Sequence, residues 1–318
     1  MENLDVIVVG ELNVDLILTG VPSLPEMGKE KIVKDMYFTM GSASAIFASN
    51  IAKLGMNVGF IGKIGKDDFG EFMLKSLKEK NVDTSSIIKD NTLKTGITVS
   101  LSFLHDYAMV TYPGAMDYLT IDDINFDHIN RAEHMFLANY FLQPGMYEGC
   151  SKLFKRTKEI GLTTSFDPGW DPAEKWDKAI LEVLEYVDIF LPNEQEALNI
   201  TGSSDIDSAL DTLSEIVDIV VIKLGNRGAL AKKGNKVVKS NVFKINVIDT
   251  TGAGDSFNSG YLYKYLKGAS VEECLIFGSA CGAIATTKLG GTTASPTLKE
   301  VENFLKERQK ETKGIVSS

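Results

Sequence analysis

Short apolar runs of strand length alternate with helix-period segments along most of this 318-residue chain, and that alternation restricts the fold more than any other feature. Val6 to Gly10 reads as a buried strand, Ser44 to Leu54 as a small-residue helix closed by Gly55, Val58 to Ile61 as a second strand and Phe69 to Lys80 as a second helix. GLTTSFDPG (161–169), YVDIFLPN (186–193) and IVDIVVIKLG (216–225) each read as a short buried strand, with helical patterns between them. Strands alternating with helices build a mainly parallel sheet between two helix layers, and such sheets bind ligands beyond the carboxyl ends of their strands. The expected class is therefore an α/β three-layer sandwich.

Two regions break the rhythm. Residues 14–40 hold no long helix, and TGITVSLSFLHDYAMVTYPGA (95–115) reads as two strands turning around His105-Asp106. Strands inserted between βα units predict a small side sheet, with lid segments near 14–40 and 96–112, that covers a site and excludes water. An apolar face on that lid would pair with a second copy, so a homodimer through the lid is one expectation. No linker, repeat or low-complexity tract divides the chain, which predicts a single domain over 1–318.

A net charge of −10 without a long basic block disfavours a nucleic-acid partner. Cys150, Cys274 and Cys281 are odd in number and lack C-x-x-C spacing, which argues against a disulfide framework or a zinc site. The start, MENLDVIVVGELNVDL, carries acids where a signal peptide carries basic residues, and no run reaches the roughly 18 apolar residues of a membrane helix. A cytoplasmic location is the expectation. His105, His128 and His134 have no metal-ligand spacing and read as structural or surface residues, with His105 also a lid candidate.

The chemistry concentrates at NVIDTTGAGDSF (246–257), where an apolar, β-favouring run leads into two glycines, an aspartate and a helical pattern. The first-turn N–H groups of a helix lack partners, and the macrodipole adds about +0.5 charge there, so this end attracts anions. Gly252 and Gly254 would let a phosphate approach the N–H groups of Gly252, Ala253 and Gly254. No lysine follows, so the loop is not a Walker-type P-loop. Asp255 taken alone is equally a helix-start charge after a glycine turn. Farther on, Ser270-Val271-Glu272-Glu273 is a capping box, and the small residues from Gly278 to Ala283 permit a close neighbouring helix.

DTTGAGDSF (249–257), together with IGKDDFG (64–70), LPNEQEA (191–197) and IKLGNRG (222–228) in that family's order, resembles the ribokinase-like (PfkB) carbohydrate kinases over nearly the whole chain. The resemblance implies a ribokinase-like fold with a small β-lid. It also implies ATP-dependent phosphorylation of a hydroxymethyl group on a small sugar or sugar acid. In this reading Gly252, Ala253 and Gly254 form the anion hole and Asp255 is the general base, kept ionised with help from the helix dipole. The N-x-x-E pattern falls on Asn193 and Glu196, which resemble the pair that organises Mg²⁺ through water, although the same two residues fit a helix capping box. Lys223, Gly225 and Gly228 are expected near the nucleotide, with Ser279 and Ala283 bordering adenine. Asp249 and Thr251, with the loop 288–295, resemble the monovalent-cation site of potassium-stimulated members.

At the substrate end, GELNVDLI (10–17) is similar to the family's early pattern, which assigns sugar hydroxyls to Asp15 with Asn13 beside it. Gly41, Ser42 and Asn139 complete the expected sugar contacts. Departures are also visible. In MGSASAIFASN (40–50), Ser42 replaces a second glycine and Ile46 an asparagine, and Met116 stands where an asparagine is common. FDPGWDP (166–172) lacks the arginine of fructokinase-like versions. These exchanges put the sugar's identity in doubt. Ile46 and Phe47 keep open a nucleoside kinase of the same family if they line a pocket, or are plain core if they do not. A catalytically silent sugar-binding regulator is the remaining alternative.

Overall fold

The computed structural model describes residues 3–103, 107–288 and 290–308. The expected turn at His105-Asp106 therefore lies outside the described residues, as does the tail from 309. The strands are β1 (Leu4–Val9), β2 (Asn13–Thr19), β3 (Asp35–Met40), β4 (Val58–Gly65), β5 (Val82–Asp90), β6 (Gly96–Ser102) and β7 (Tyr107–Tyr112) in the first part of the chain. They continue with β8 (Ala132–Leu137), β9 (Thr163–Phe166), β10 (Ile189–Phe190), β11 (Ile219–Lys223), β12 (Ala229–Lys233) and β13 (Lys236–Ser240). The helices are α1 (Ala43–Lys53), α2 (Asp68–Glu79), α3 (Phe126–Ile129), α4 (Tyr147–Ile160), α5 (Ala179–Leu184), α6 (Glu194–Thr201), α7 (Ile206–Ser214), α8 (Ala253–Leu266), α9 (Val271–Ala285) and α10 (Leu298–Glu307).

A nine-stranded sheet runs in the order β13-β12-β11-β10-β9-β8-β1-β4-β5. It is parallel from β11 to β5 and closes with two antiparallel pairings through β12 and β13. Alternation along β1 shows how the layers form. Val6 and Val8 pack with Phe47, Phe257, Tyr261 and Leu275 from α1, α8 and α9, whereas Ile7 and Val9 pack with Leu153, Ile180, Ile200 and Leu213 from α4 to α7. Each such side chain contributes about 1.5–3 kcal/mol of burial, which fixes the register of a strand covered on both faces. His134 on β8 is wholly buried between Thr163 Oγ1 at 2.7 Å and Ser165 Oγ at 2.6 Å, a structural role.

The interruptions form a second sheet of four strands, β3-β2-β6-β7. β2 and β6 pair in parallel, and β3 and β7 flank them antiparallel. This sheet leans on α2 through Phe38, whose ring centre lies 4.7 Å from that of Phe72 and 5.6 Å from that of Phe69. Met36, Met109, Val110 and Tyr112 remain exposed.

The run before the glycine loop forms no strand, because Val247 and Ile248 are 55% and 57% exposed and the segment instead hangs from the end of α9, with the N–H groups of Ile248 and Asp249 both donating to Thr286 C=O. The small residues of α9 serve tight packing against α8. A side chain on Gly278 would meet Phe257 C=O at 2.9 Å.

Candidate functional site

Glu11 follows β1, Asn139 follows β8, Asp167 follows β9, Asn193 follows β10 and Lys223 ends β11. The sheet therefore delivers these polar side chains to one edge, the carboxyl ends of its parallel strands, and the first two turns of α8 meet them there through Gly254 and Asn258. Gly252 starts α8 with φ +71°, and a side chain on it would strike Gly291 Cα at 2.5 Å, so only glycine permits this turn against the loop at 290–291. Ala253 N–H donates to Thr250 C=O at 3.2 Å, so the cradle expected from three N–H groups has one of them engaged in the turn.

Asp255 occupies the first turn of α8. Burial raises its pKa well above the ordinary aspartate value, the charge of Asp167 adds to the rise, and Lys223 opposes it. The expectation that the helix dipole keeps Asp255 ionised is corrected here. Removal from water in the company of Asp167, Glu11 and Glu196 outweighs a dipole term typically worth 0.3–1 kcal/mol.

Lys223 Nζ lies 2.5 Å from Asp167 Oδ2, and the same oxygen accepts from Asn258 Nδ2 on α8 at 2.6 Å. The other carboxylate oxygen of Asp167 accepts from Gly169 N–H at 3.1 Å. Lys223 was expected near the nucleotide together with Gly225 and Gly228. Its ammonium turns to the α8 terminus, while Gly225 and Gly228 (φ +58° and +89°) shape the turn into β12. Burial disfavours the charged lysine, but Asp167, Glu196 and Asp255 outweigh it and raise its pKa.

Asn193 caps α6. Its Oδ1 accepts from Glu196 N–H at 2.9 Å, while Glu196 Oε2 accepts from Asn193 N–H at 2.8 Å and Oε1 from Asn193 Nδ2 at 2.6 Å. The capping reading is thus realised. Glu196 is also buried beside Asp167, and burial followed by that charge pushes its pKa up to about 7, against Lys223 and the Asn193 N–H. Among the described residues no three His, Cys, Asp or Glu side chains converge as a metal cluster. The excess of carboxylate charge fits a divalent cation held through water, the way magnesium is commonly bound.

Asp249 accepts from Thr251 N–H at 2.9 Å and Thr251 Oγ1 at 2.8 Å, and its second oxygen accepts from Gly290 N–H at 2.8 Å. Both residues act as loop staples, and Leu289, inside the expected cation loop, lies outside the described residues. Ser279 Oγ pairs with Ser240 Oγ at 2.8 Å, tying α9 to β13, and Ala283 is half-buried on the same helix.

On the four-stranded sheet, Asn13 Nδ2 donates to Asp15 Oδ1 at 3.0 Å and Thr98 Oγ1 at 3.2 Å, and Thr98 pairs with Thr111 at 2.9 Å across β6 and β7. A side chain on Gly41 would fall 2.2 Å from Asp15 Oδ1, so glycine is what admits the carboxylate. Burial, followed by the charge of Glu11, pushes the Asp15 pKa to about 7, with Asn13 opposing. Ser42 replaces a glycine but keeps a glycine-like φ of +70°. Its hydroxyl donates to Glu11 C=O at 2.6 Å and accepts from Ala45 N–H at 2.9 Å, which holds the strained backbone. Asn139, also left-handed at φ +53°, donates to Glu11 Oε1 at 2.9 Å.

Glu11 went unnoticed in the sequence, as did Asp167 and Asn258. Burial raises the Glu11 pKa, and bonds from Ser44 and Asn139 oppose it. The signal that finds both acids is their position directly after an apolar strand. Ile46 and Phe47 resolve as core: Phe47 stacks on Phe136 at 3.7 Å, and Ile46 is 4% exposed beside Gly291.

A family model described as pfkB family carbohydrate kinase matches residues 3–298. An uncharacterized sugar kinase of Archaeoglobus fulgidus is 32% identical over 247 residues, which cover 77% of this chain and 98% of that protein. Probable fructokinase-4 of Arabidopsis thaliana is 30% identical over 289 residues, covering 84% and 87%. The crystal structure of a putative Ribokinase II from E. coli in complex with ATP and Mg²⁺ superposes with a TM-score of 0.85 at 26% identity, covering 96% of this chain and 99% of that one.

Proposed function

The chain belongs to the pfkB family of carbohydrate kinases and is an ATP-dependent carbohydrate kinase, and from that premise we propose that it phosphorylates a primary hydroxyl of a small neutral sugar with Asp255 as general base. The observation that carries this reading is Asp255 in the first turn of α8, within the field of Lys223 and of the carboxylates at the strand ends. A carboxylate whose pKa is raised is a stronger base than an ordinary aspartate, which suits proton removal from an alcohol.

Asp255 takes the proton of the substrate hydroxyl as its oxygen bonds to the γ-phosphorus of ATP. The bond from that phosphorus to the β,γ-bridging oxygen breaks, and its electron pair leaves with ADP. Gly254, where a side chain would meet nothing nearer than Lys223 at 3.8 Å, leaves the α8 terminus open to the transferring group, whose charge the first-turn N–H groups other than that of Ala253 meet. Mg²⁺, held through water by Glu196 with Asn193 orienting that carboxylate, would neutralise phosphate charge. Asp15 and Asn13 bind sugar hydroxyls, with Gly41, Ser42 and Asn139 shaping the pocket wall. A neutral sugar is favoured over a sugar acid because burial and the charge of Glu11 already raise the cost of ionising Asp15 there. The burial of Phe47 against Phe136 removes the basis for a base-stacking nucleoside pocket.

The test is an ATP-consumption screen over neutral pentoses and hexoses, sugar acids and nucleosides. Turnover on a neutral sugar is expected, and turnover confined to nucleosides or acids would overturn the substrate assignment.

A further inference from the structure

Lys223 has the geometry of a second half to the anion cradle. It leaves the end of β11 with its ammonium 2.5 Å from Asp167 Oδ2, and a Cβ built on Gly254 would lie 3.8 Å from that nitrogen. The ammonium thus fronts the terminus of α8 from the side opposite the helix. We propose that Lys223 is a catalytic charge clamp on the phosphoryl group in transfer, and that Asp167 and Asn258 are the positioning residues that hold it there. The inference rests on the kinase reading above and adds to it the group that answers the negative charge.

Three observations support it. Asp167 is itself fixed by donors from three elements, Gly169 N–H after β9, Lys223 from β11 and Asn258 Nδ2 from α8, so the lysine cannot drift without breaking a buried network. Asn258 lies one helical turn beyond Asp255, which ties the clamp's position to that of the base. Lys223 Nζ also lies 3.8 Å from where a Cβ on Gly254 would stand, one residue before Asp255, so it faces the turn that carries the base. A buried ion pair contributes little net stability once desolvation is counted, which leaves a purely structural role weakly motivated. Phosphoryl transfer depends mainly on positioning and charge stabilisation, and a cation on the transferring group supplies the latter without forming any bond.

The experiment separates the clamp from a structural pair and from the kinase reading. Titration calorimetry with magnesium present compares ADP with a non-hydrolysable ATP analogue on wild type and Lys223→Met, and steady-state kinetics follow on the double variant Lys223→Met/Asp167→Asn. Lys223→Met should lose at least about tenfold in analogue affinity while ADP affinity stays within about twofold, because the contact is with the terminal phosphate. Its kcat should fall roughly 10²- to 10³-fold with the sugar KM little changed. The double variant should recover thermal stability, since no unpaired charge remains, without recovering kcat. Equal weakening of ADP and analogue, or a double variant that recovers kcat, overturns the clamp. If the wild type binds the analogue but phosphorylates no sugar, the proposed function fails, and the nucleotide comparison still decides the clamp.

Discussion

Asp255 shows how one side chain acquires reactivity from its surroundings. Its pKa rises because burial and Asp167 disfavour the anion, and Lys223 limits the rise. Replacement by Asn keeps shape and removes the proton acceptor, so Asp255→Asn should slow turnover by about 10²- to 10⁴-fold. ATP affinity measured by calorimetry should stay within a few-fold of wild type. Retained turnover would move the base elsewhere, and a collapsed melting transition would make Asp255 structural. The sign of the pH dependence follows from the same shift. A base must be deprotonated, so a raised pKa moves the acid limb of kcat/KM upward, and Asp15 and Glu196, both pushed up to about 7, add their own titrations to the acid side. We expect kcat/KM to decline as pH falls below about 7, with apparent pKa values that belong to the coupled carboxylates rather than to one residue. A profile flat to pH ~5 would be incompatible with that electrostatic picture.

The start of α6 is a helix cap, and on the proposed function the same pair also serves the metal. Asn193 and Glu196 close a reciprocal cap at 2.8 and 2.9 Å, and the same carboxylate stands buried among the site's charges. Glu196→Gln preserves size and most of the cap but removes the charge that would order magnesium's water. It should raise the magnesium concentration for half-maximal rate severalfold while the melting temperature stays close to wild type. An unchanged magnesium requirement would leave the pair as a cap alone. Elements of this kind were legible in the sequence wherever local chemistry decides them. The capping boxes at Asn193 and Ser270 and the glycine start of α8 depend only on neighbours a few residues away. Glu11 and Asp167 were not, because what makes them functional is long-range. Glu11 gains its partners from residues 33 and 128 positions away, Asp167 from 56 and 91. The β-favouring run Val247-Ile248 forms no strand for the same kind of reason, since it finds no strand to pair with and the N–H groups of Ile248 and Asp249 go to the end of α9.

Across the whole molecule, the βα rhythm and its two interruptions divide the labour. The nine-stranded sheet buries its middle strands on both faces and presents rigid acids at one edge, while the four-stranded sheet joins that core through Val14, Met40 and Ile97 and carries Asp15. The order of strands was not readable, because the jump from β5 back to β8 beside β1 is a long-range choice that periodicity does not encode. That the interruptions form a separate sheet was readable, since helix-free segments cannot cover the central sheet. The division has a dynamic consequence. Asp15 is seated on β2 between β3 and β6, so on the proposed function a sugar bound there would tie the small sheet to the strand ends and slow its opening. Hydrogen exchange at β2, β3, β6 and β7 should therefore slow at saturating sugar by more than in the central sheet. The exposed Met36, Met109, Val110 and Tyr112 give the same lid a surface that a second copy would cover, so protection there should also rise with protein concentration before any sugar is added. Exchange that responds to neither sugar nor concentration would mean that the small sheet is a fixed wall of the cleft, and that water is excluded by Asp15 and its neighbours without closure.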